Sequence, residues 1–162
     1  MKAFISLVLC LFSLNLSESE KYNFMFDVKA RIILKNLGKV LFLLQTTKQG
    51  GKYTLAGGHV ERQEFAKAAL IRECKEEVGI TLYKKELELV HVLHKKNKQN
   101  NVITLYFETS SWTGLIENKE PKKFQRVAWF PLDKLPKNTS LTTRHVLEQY
   151  VLGNKYSDFR RS

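Results

Sequence analysis

Apolar and polar positions divide the chain into segments of two periods. From Phe26 to Thr47, FDVKARIILKNLGKVLFLLQTT, aliphatic and β-branched residues form two runs separated by Asn36-Leu37-Gly38. Asn and Gly tolerate positive φ, so the pattern predicts a hairpin. Lys48 to Lys52, with Gly50 and Gly51, predicts a loop, and YTLAGGHV a short strand ending at a glycine pair. The period then changes. Leu70, Ile71, Cys74 and Val78 recur at helical spacing, predicting a helix over residues 64–78 with Gly79 as its C-cap. ELELVHVLH and VITLYFETSSW predict strands on either side of a basic polar loop, Lys95 to Asn101. FQRVAWFPL predicts another strand, closed by Pro131 and Pro136. A last amphipathic segment, Leu141 to Leu152, has Ser140 as its N-cap and Gly153 as its stop. The tail from Asn154 is expected to be loosely held. Strands with one helix among them and one at the end imply an α/β domain, a mixed sheet with helices on its faces.

The N-terminus stands apart. MKAFISLVLCLFSLNLSES carries a lysine, an apolar run and then small polar residues, with Ser17 and Ser19 placed as before a cleavage site. This is the order of a secretory signal peptide, and the run from Ala3 to Leu16 is short for a membrane span. The alternative is an upstream extension with translation starting at Met25. The first reading implies export and the second a cytoplasmic protein; membrane contact arises only if the segment is retained. Residues 1–24 are therefore set aside as a signal-like extension, residues 25–153 as the domain and residues 154–162 as a tail.

Composition narrows the chemistry. A length of 162 residues with 43% hydrophobic and 27% charged positions suits one soluble domain with a full core. The net charge of +11 lies entirely beyond the N-terminal extension, in the domain and its tail, because Lys2 and Lys21 cancel Glu18 and Glu20. It points to anionic partners or to a solvated basic face. Cys10 and Cys74 form no CxxC or Cys/His cluster, which argues against zinc and against a disulfide framework.

Against this basic background, GHVERQEFAKAALIRECKEEVGI collects carboxylates. On a helix, Glu73, Glu76 and Glu77 are neighbours on one face, and Leu70, Cys74 and Val78 lie on the other. Like charges at that spacing destabilise a helix by about 0.2–0.5 kcal/mol per pair. A divalent cation relieves the repulsion, and carboxylate oxygens suit Mg²⁺ or Mn²⁺. The competing account is a solvated acidic face paired with Lys67 and Lys75.

The glutamates alone leave both accounts open, and the longer pattern around them adds a resemblance. Gly58, five residues, Glu64, seven residues, then Arg72-Glu73-Cys74-x-Glu76-Glu77-x-Gly79-Ile80 resembles the signature of the Nudix hydrolase superfamily. Every fixed position matches; Cys74 fills an apolar slot, and Gln63 stands where many members have glycine. VHVLHK, GLIENKEPKK and VAWFPLDKLPKN extend the likeness to the MutT-like branch, over about residues 25–153. The resemblance implies the Nudix fold, a mixed β-sheet sandwiched between helices. It implies metal binding by Glu73, Glu76 and Glu77, with the Gly58 carbonyl facing the metal. One glutamate is to orient or deprotonate the attacking water, and Glu64 is to pair with Arg72 and hold the helix. The implied activity is divalent-metal-dependent hydrolysis of a nucleoside diphosphate linked to another group. A nucleoside triphosphate cleaved to monophosphate and pyrophosphate is the first reading. The alternatives are an ADP-ribose or dinucleoside polyphosphate hydrolase, and a non-catalytic module that binds nucleotides or RNA. A full glutamate set argues against the module, and no nucleic acid is required as partner. A monomer and a homodimer are both compatible with the sequence.

Outside the signature, Glu120 is a further metal ligand or base, or else an exposed loop residue among lysines. Asn118 is a reader of the base or a turn former. His94 and Lys95, at a strand end, are placed to meet substrate phosphates. His91 is expected at the edge of the core on a face with Leu87, Leu89 and Leu93. Trp129 and Phe130 alternate, so at least one is core.

Overall fold

A computed structural model describes residues 26–96 and 101–160. The signal-like segment, Met25 and the centre of the expected basic loop lie outside the described residues. The strands are β1 (Phe26–Asn36), β2 (Lys39–Gln45), β3 (Tyr53–Thr54), β4 (Gly57–His59), β5 (Thr81–Leu82), β6 (Glu88–Lys96), β7 (Asn101–Thr109), β8 (Trp112–Thr113), β9 (Phe124–Pro131) and β10 (Tyr156–Arg160); the helices are α1 (Ala66–Val78) and α2 (Leu141–Val151). Among the described residues no helix is long and apolar enough to cross a membrane.

The strands form a mixed sheet in the order β10-β6-β7-β1-β2-β3, with β4 added to β1 and β9 to β2. β1 runs parallel to β7 along its length, from Phe26↔Asn101 to Leu34↔Thr109. β1 and β2 pair only at their hairpin end, at Lys35↔Val40 and Asn36↔Lys39. Beyond it they diverge, β2 passing to β3 and β9. β4 takes the vacated edge of β1, with Lys29↔His59, Ala30↔Gly58 and Arg31↔Gly57. The splayed hairpin thus brings the glycine pair beside β1.

Strand alternation sorts side chains between two cores, one under each helix. Ala30, Ile32 and Leu34 pack with Leu70, Cys74 and Val78 of α1. Ile33 packs on the other side with Phe42, Tyr53, Tyr106, Val146 and Leu147, the last two from α2. The result is the expected helix–sheet–helix sandwich. Each fully buried aliphatic side chain contributes about 1.5–3 kcal/mol, so Leu70 and Val78, both 0% exposed, anchor α1 firmly. Ser140 caps α2 as expected, its side chain accepting the Thr143 N–H.

Some elements depart from the sequence reading. The stretch read as one strand at YTLAGGHV is two, β3 and β4, with the glycine pair opening the second. The tail is not loose: β10 pairs in parallel with β6, from Tyr156↔Val92 to Arg160↔Lys96. Its anchor is His91, which is 0% exposed. Its Nδ1 donates to Asn154 O over 2.8 Å, and Nε2 accepts from Ser157 Oγ over 2.9 Å. A bulge between Leu89 and His91 puts Val90 and His91 both inside and turns Leu89 out; Leu89 is exposed and Leu87 packs in the core under α1, so of the three expected leucines only Leu93 shares the histidine's side. Trp129 and Phe130 are each partly buried, packing against opposite cores.

Candidate functional site

α1 begins at Ala66, two residues later than the apolar period suggests, because Glu64 and Phe65 still belong to the incoming loop. Its C-terminus closes on Gly79, in the left-handed region at φ 77°. Leu70, Cys74 and Val78 fix the rotation of the helix. That rotation grades the three glutamates by depth. The Glu76 side chain is 52% exposed and that of Glu73 13%. Glu77 as a residue is only 5% exposed, so it lies at the rim of the core and not on an open acidic face.

Arg72 organises the cluster. Its Nε and Nη2 donate to the two oxygens of Glu64, each over 3.1 Å. Nη1 donates to Glu73 over 3.1 Å and to Glu76 over 3.2 Å, and Nη2 also reaches His59 O. The Glu64 carboxyl is accordingly held below its ordinary value, chiefly by the bond from Arg72. The expected lysine partners are elsewhere: Lys67 donates to Lys84 O and Lys75 to Gly79 O. One guanidinium, not a row of lysines, compensates the acidic face.

Glu77 is held by backbone. Gly57 N donates to its Oε2 over 2.8 Å. Burial pushes its carboxyl up to about 7, with the Gly57 bond and Arg31 opposing and the charges of Glu73 and Glu120 adding to the rise. The glycine pair is required by close approach. A Cβ at Gly57 would sit 2.2 Å from Ala30 O, and one at Gly58 2.3 Å from Glu73 Oε1. The β4 backbone therefore lies directly against the carboxylates.

Glu120 joins them from a distant loop. Glu117 N donates to Val78 O and Lys119 N to Glu77 O, docking the loop on the C-terminus of α1. Asn118 folds it: its Nδ2 donates to Phe124 O over 2.7 Å and its Oδ1 accepts from Glu120 N over 3.2 Å. Asn118 is thus engaged with backbone on both sides of its amide. Lys123 pairs with Glu120 Oε1 at 2.9 Å, whereas Glu120 Oε2 is buried without a hydrogen-bond partner. A buried carboxylate oxygen without a partner, on a residue whose charge reaches Glu77, fits a hard cation. Among the described residues, no three acidic, histidine or cysteine side chains yet converge tightly enough to close around one ion. Glu73 and Glu76 are instead both bonded to Arg72.

His94 and Lys95 part company, since adjacent strand residues face opposite ways. The His94 ring lies against Phe26 and donates to Asn101 Oδ1 over 3.3 Å. Lys95 instead lines a cavity of about 410 Å³ on the α2 side of the sheet, together with Lys29 and Arg31 of β1. Neither Lys29 nor Arg31 stood out as a site residue in the sequence. Their signal was an alternation of two cations, Lys29 and Arg31, inside an otherwise apolar strand.

Gln63 has φ 64°, in the left-handed region. This explains why glycine suits the position. A left-handed side-chain residue costs about 1–2 kcal/mol, and the greater freedom of unfolded glycine offsets about 0.5–1 kcal/mol. Gln63→Gly is expected to stabilise the protein by up to about 1 kcal/mol in urea denaturation; a loss of stability would contradict the strain.

The comparisons with known proteins agree with this geometry. The NUDIX domain family matches residues 25–150. No curated protein matches the chain. Among solved structures, a MutT NUDIX hydrolase from Burkholderia pseudomallei superposes with a TM-score of 0.71 at 26% identity, over 77% of this chain and 98% of that one. A MutT protein from Methanosarcina mazei Go1 gives 0.69 at 20% identity, over 80% and 96%. A MutT protein from Bacillus halodurans gives 0.70 at 17% identity, over 84% and 90%.

Proposed function

The chain belongs to the NUDIX family, and from that premise we propose that it hydrolyses nucleoside triphosphates to nucleoside monophosphate and pyrophosphate. The chain is a MutT-like Nudix hydrolase acting on pyrophosphate bonds. The observation that carries the reading is the buried Glu77, fixed by Gly57 N–H and close enough to Glu73 and Glu120 to feel both charges.

Glu73, Glu76, Glu77, Glu120 and the Gly58 carbonyl would hold the divalent cation, Mg²⁺ or Mn²⁺. When bound, the cation supplies charge neutralisation to the diphosphate and acidifies water. The residues do the rest. One glutamate takes a proton as the water oxygen attacks phosphorus, and the bond to the leaving pyrophosphate breaks in line. Arg72, held by Glu64, keeps Glu73 and Glu76 together on one face of α1. Asn118 acts by positioning: it shapes the loop that carries Glu120. His94 and Lys95 are read as substrate contacts, Lys95 from the cavity wall.

The test is a nucleotide panel with the purified domain, with Mg²⁺, with Mn²⁺ and with neither. Metal-dependent pyrophosphate release from a triphosphate is expected. Turnover restricted to ADP-ribose or dinucleoside polyphosphates would replace this substrate class. Binding without turnover of any nucleotide would replace the enzyme with a binding module.

A further inference from the structure

The cavity on the α2 side is more basic than a nucleoside requires. Lys29, Arg31, Lys52 and Lys95 all line it, and there is no Asp or Glu among the described lining residues. Its floor is β1 and β7, and the first turn of α2 closes one side, where a helix carries positive partial charge. The buried polar groups Thr104, Tyr106 and Thr143, each 5% exposed or less, add hydroxyls. Four cations around one concavity repel one another, and an anion relieves the repulsion. The crowding registers on Lys29, whose ammonium is pushed down by burial first and then by Arg31, against Asp27, with Lys95 contributing.

The cavity and the glutamates meet at one rung. Arg31, a cavity residue, is paired with Gly57 in the ladder, and Gly57 N–H holds Glu77. The guanidinium of Arg31 is itself fixed by Leu55 O. A substrate spanning this rung has one part at the carboxylates and another among the cations.

We propose that this cavity is a second anion subsite, which holds a phosphate of the substrate other than the one attacked at the glutamates. The proposal rests on reading the glutamate cluster as the place of hydrolysis. Two sources share the chemistry: the far end of a polyphosphate tail, and a phosphate monoester carried elsewhere on the nucleoside.

Binding to the full chain in EDTA isolates the subsite, because the metal-free glutamates repel phosphate. AMP, ATP and adenosine 3′,5′-bisphosphate serve as probes in calorimetry. At least one of the two larger anions is expected to bind about tenfold tighter than AMP, the scale of a charge-assisted contact. A tighter ATP identifies the polyphosphate tail; a tighter bisphosphate identifies the monoester. K29Q/K52Q is expected to abolish the advantage. K84Q/K85Q removes the same charge from exposed positions outside the cavity and is expected to keep it. Lys52→Glu, confined to an exposed position, moves affinity the same way as the double variant without touching β1. Equal affinity for all three probes overturns the subsite, as does an equal loss in both lysine pairs. Either result leaves metal-dependent hydrolysis to be judged by turnover alone.

Discussion

Glu77→Gln is expected to lower turnover by about 10²–10⁴-fold, the range for losing a catalytic acid–base group, while the metal-free protein becomes more stable. Both effects follow from its place. Glu77 is 5% exposed, and its carboxyl is pushed up to about 7 from 4.5, first by burial. Below about 4.5 the folded and unfolded chains both hold the proton. As pH rises from there toward 7, the unfolded chain releases it first, so this group progressively destabilises the fold. Above about 7 the loss is complete and constant, on the order of a few kcal/mol. Glutamine keeps an acceptor for Gly57 N–H and carries no charge. In EDTA the melting temperature of the variant relative to wild type should therefore climb between pH 5 and pH 8. Added Mg²⁺ should raise the melting temperature of wild type and have less effect on the variant. Full activity in Glu77→Gln, or a stability difference independent of pH, would remove Glu77 from the site.

The signature was readable because its residues are close in sequence. A helix converts a spacing of three and four into one face, so Glu73, Glu76 and the Arg72 contact follow from local geometry. Burial does not follow from spacing. Glu77 sinks to the rim of the core because Cys74 and Val78 set the helix rotation and β4 closes over it. Glu120 arrives through backbone bonds between its loop and the end of α1, which no local pattern encodes. The tail strand was missed for a similar reason. NKYSDFRRS has little apolar alternation, and its pairing depends on a buried histidine 63 and 66 residues away. Lys29 and Arg31 were visible as letters, but their cavity requires the divergence of β1 from β2 and the arrival of α2.

Arg72→Ala is expected to reduce stability and activity together. The Arg72 side chain is 28% exposed, and its guanidinium joins Glu64, Glu73, Glu76 and the backbone of His59. Its removal leaves Glu64 and Glu73, 18% and 13% exposed, without their cation. Stripping one partner from a fully buried pair costs about 3–5 kcal/mol, and exposed pairs are worth about 0–1 kcal/mol. The partial exposure here puts the loss between those limits, at about 2–3 kcal/mol. Arg72→Lys should recover little, since an ammonium cannot make the two parallel bonds to Glu64. Coupling in a double-mutant cycle with Glu64→Ala should reach about 1–2 kcal/mol by chemical denaturation. The loss should be larger without metal than with it. In the metal-free protein Arg72 is the counter-charge of Glu73 and Glu76, whereas a bound cation takes over that role. An additive cycle would detach Glu64 from the cluster. Equal losses with and without metal would mean that Arg72 and the cation do not share those carboxylates.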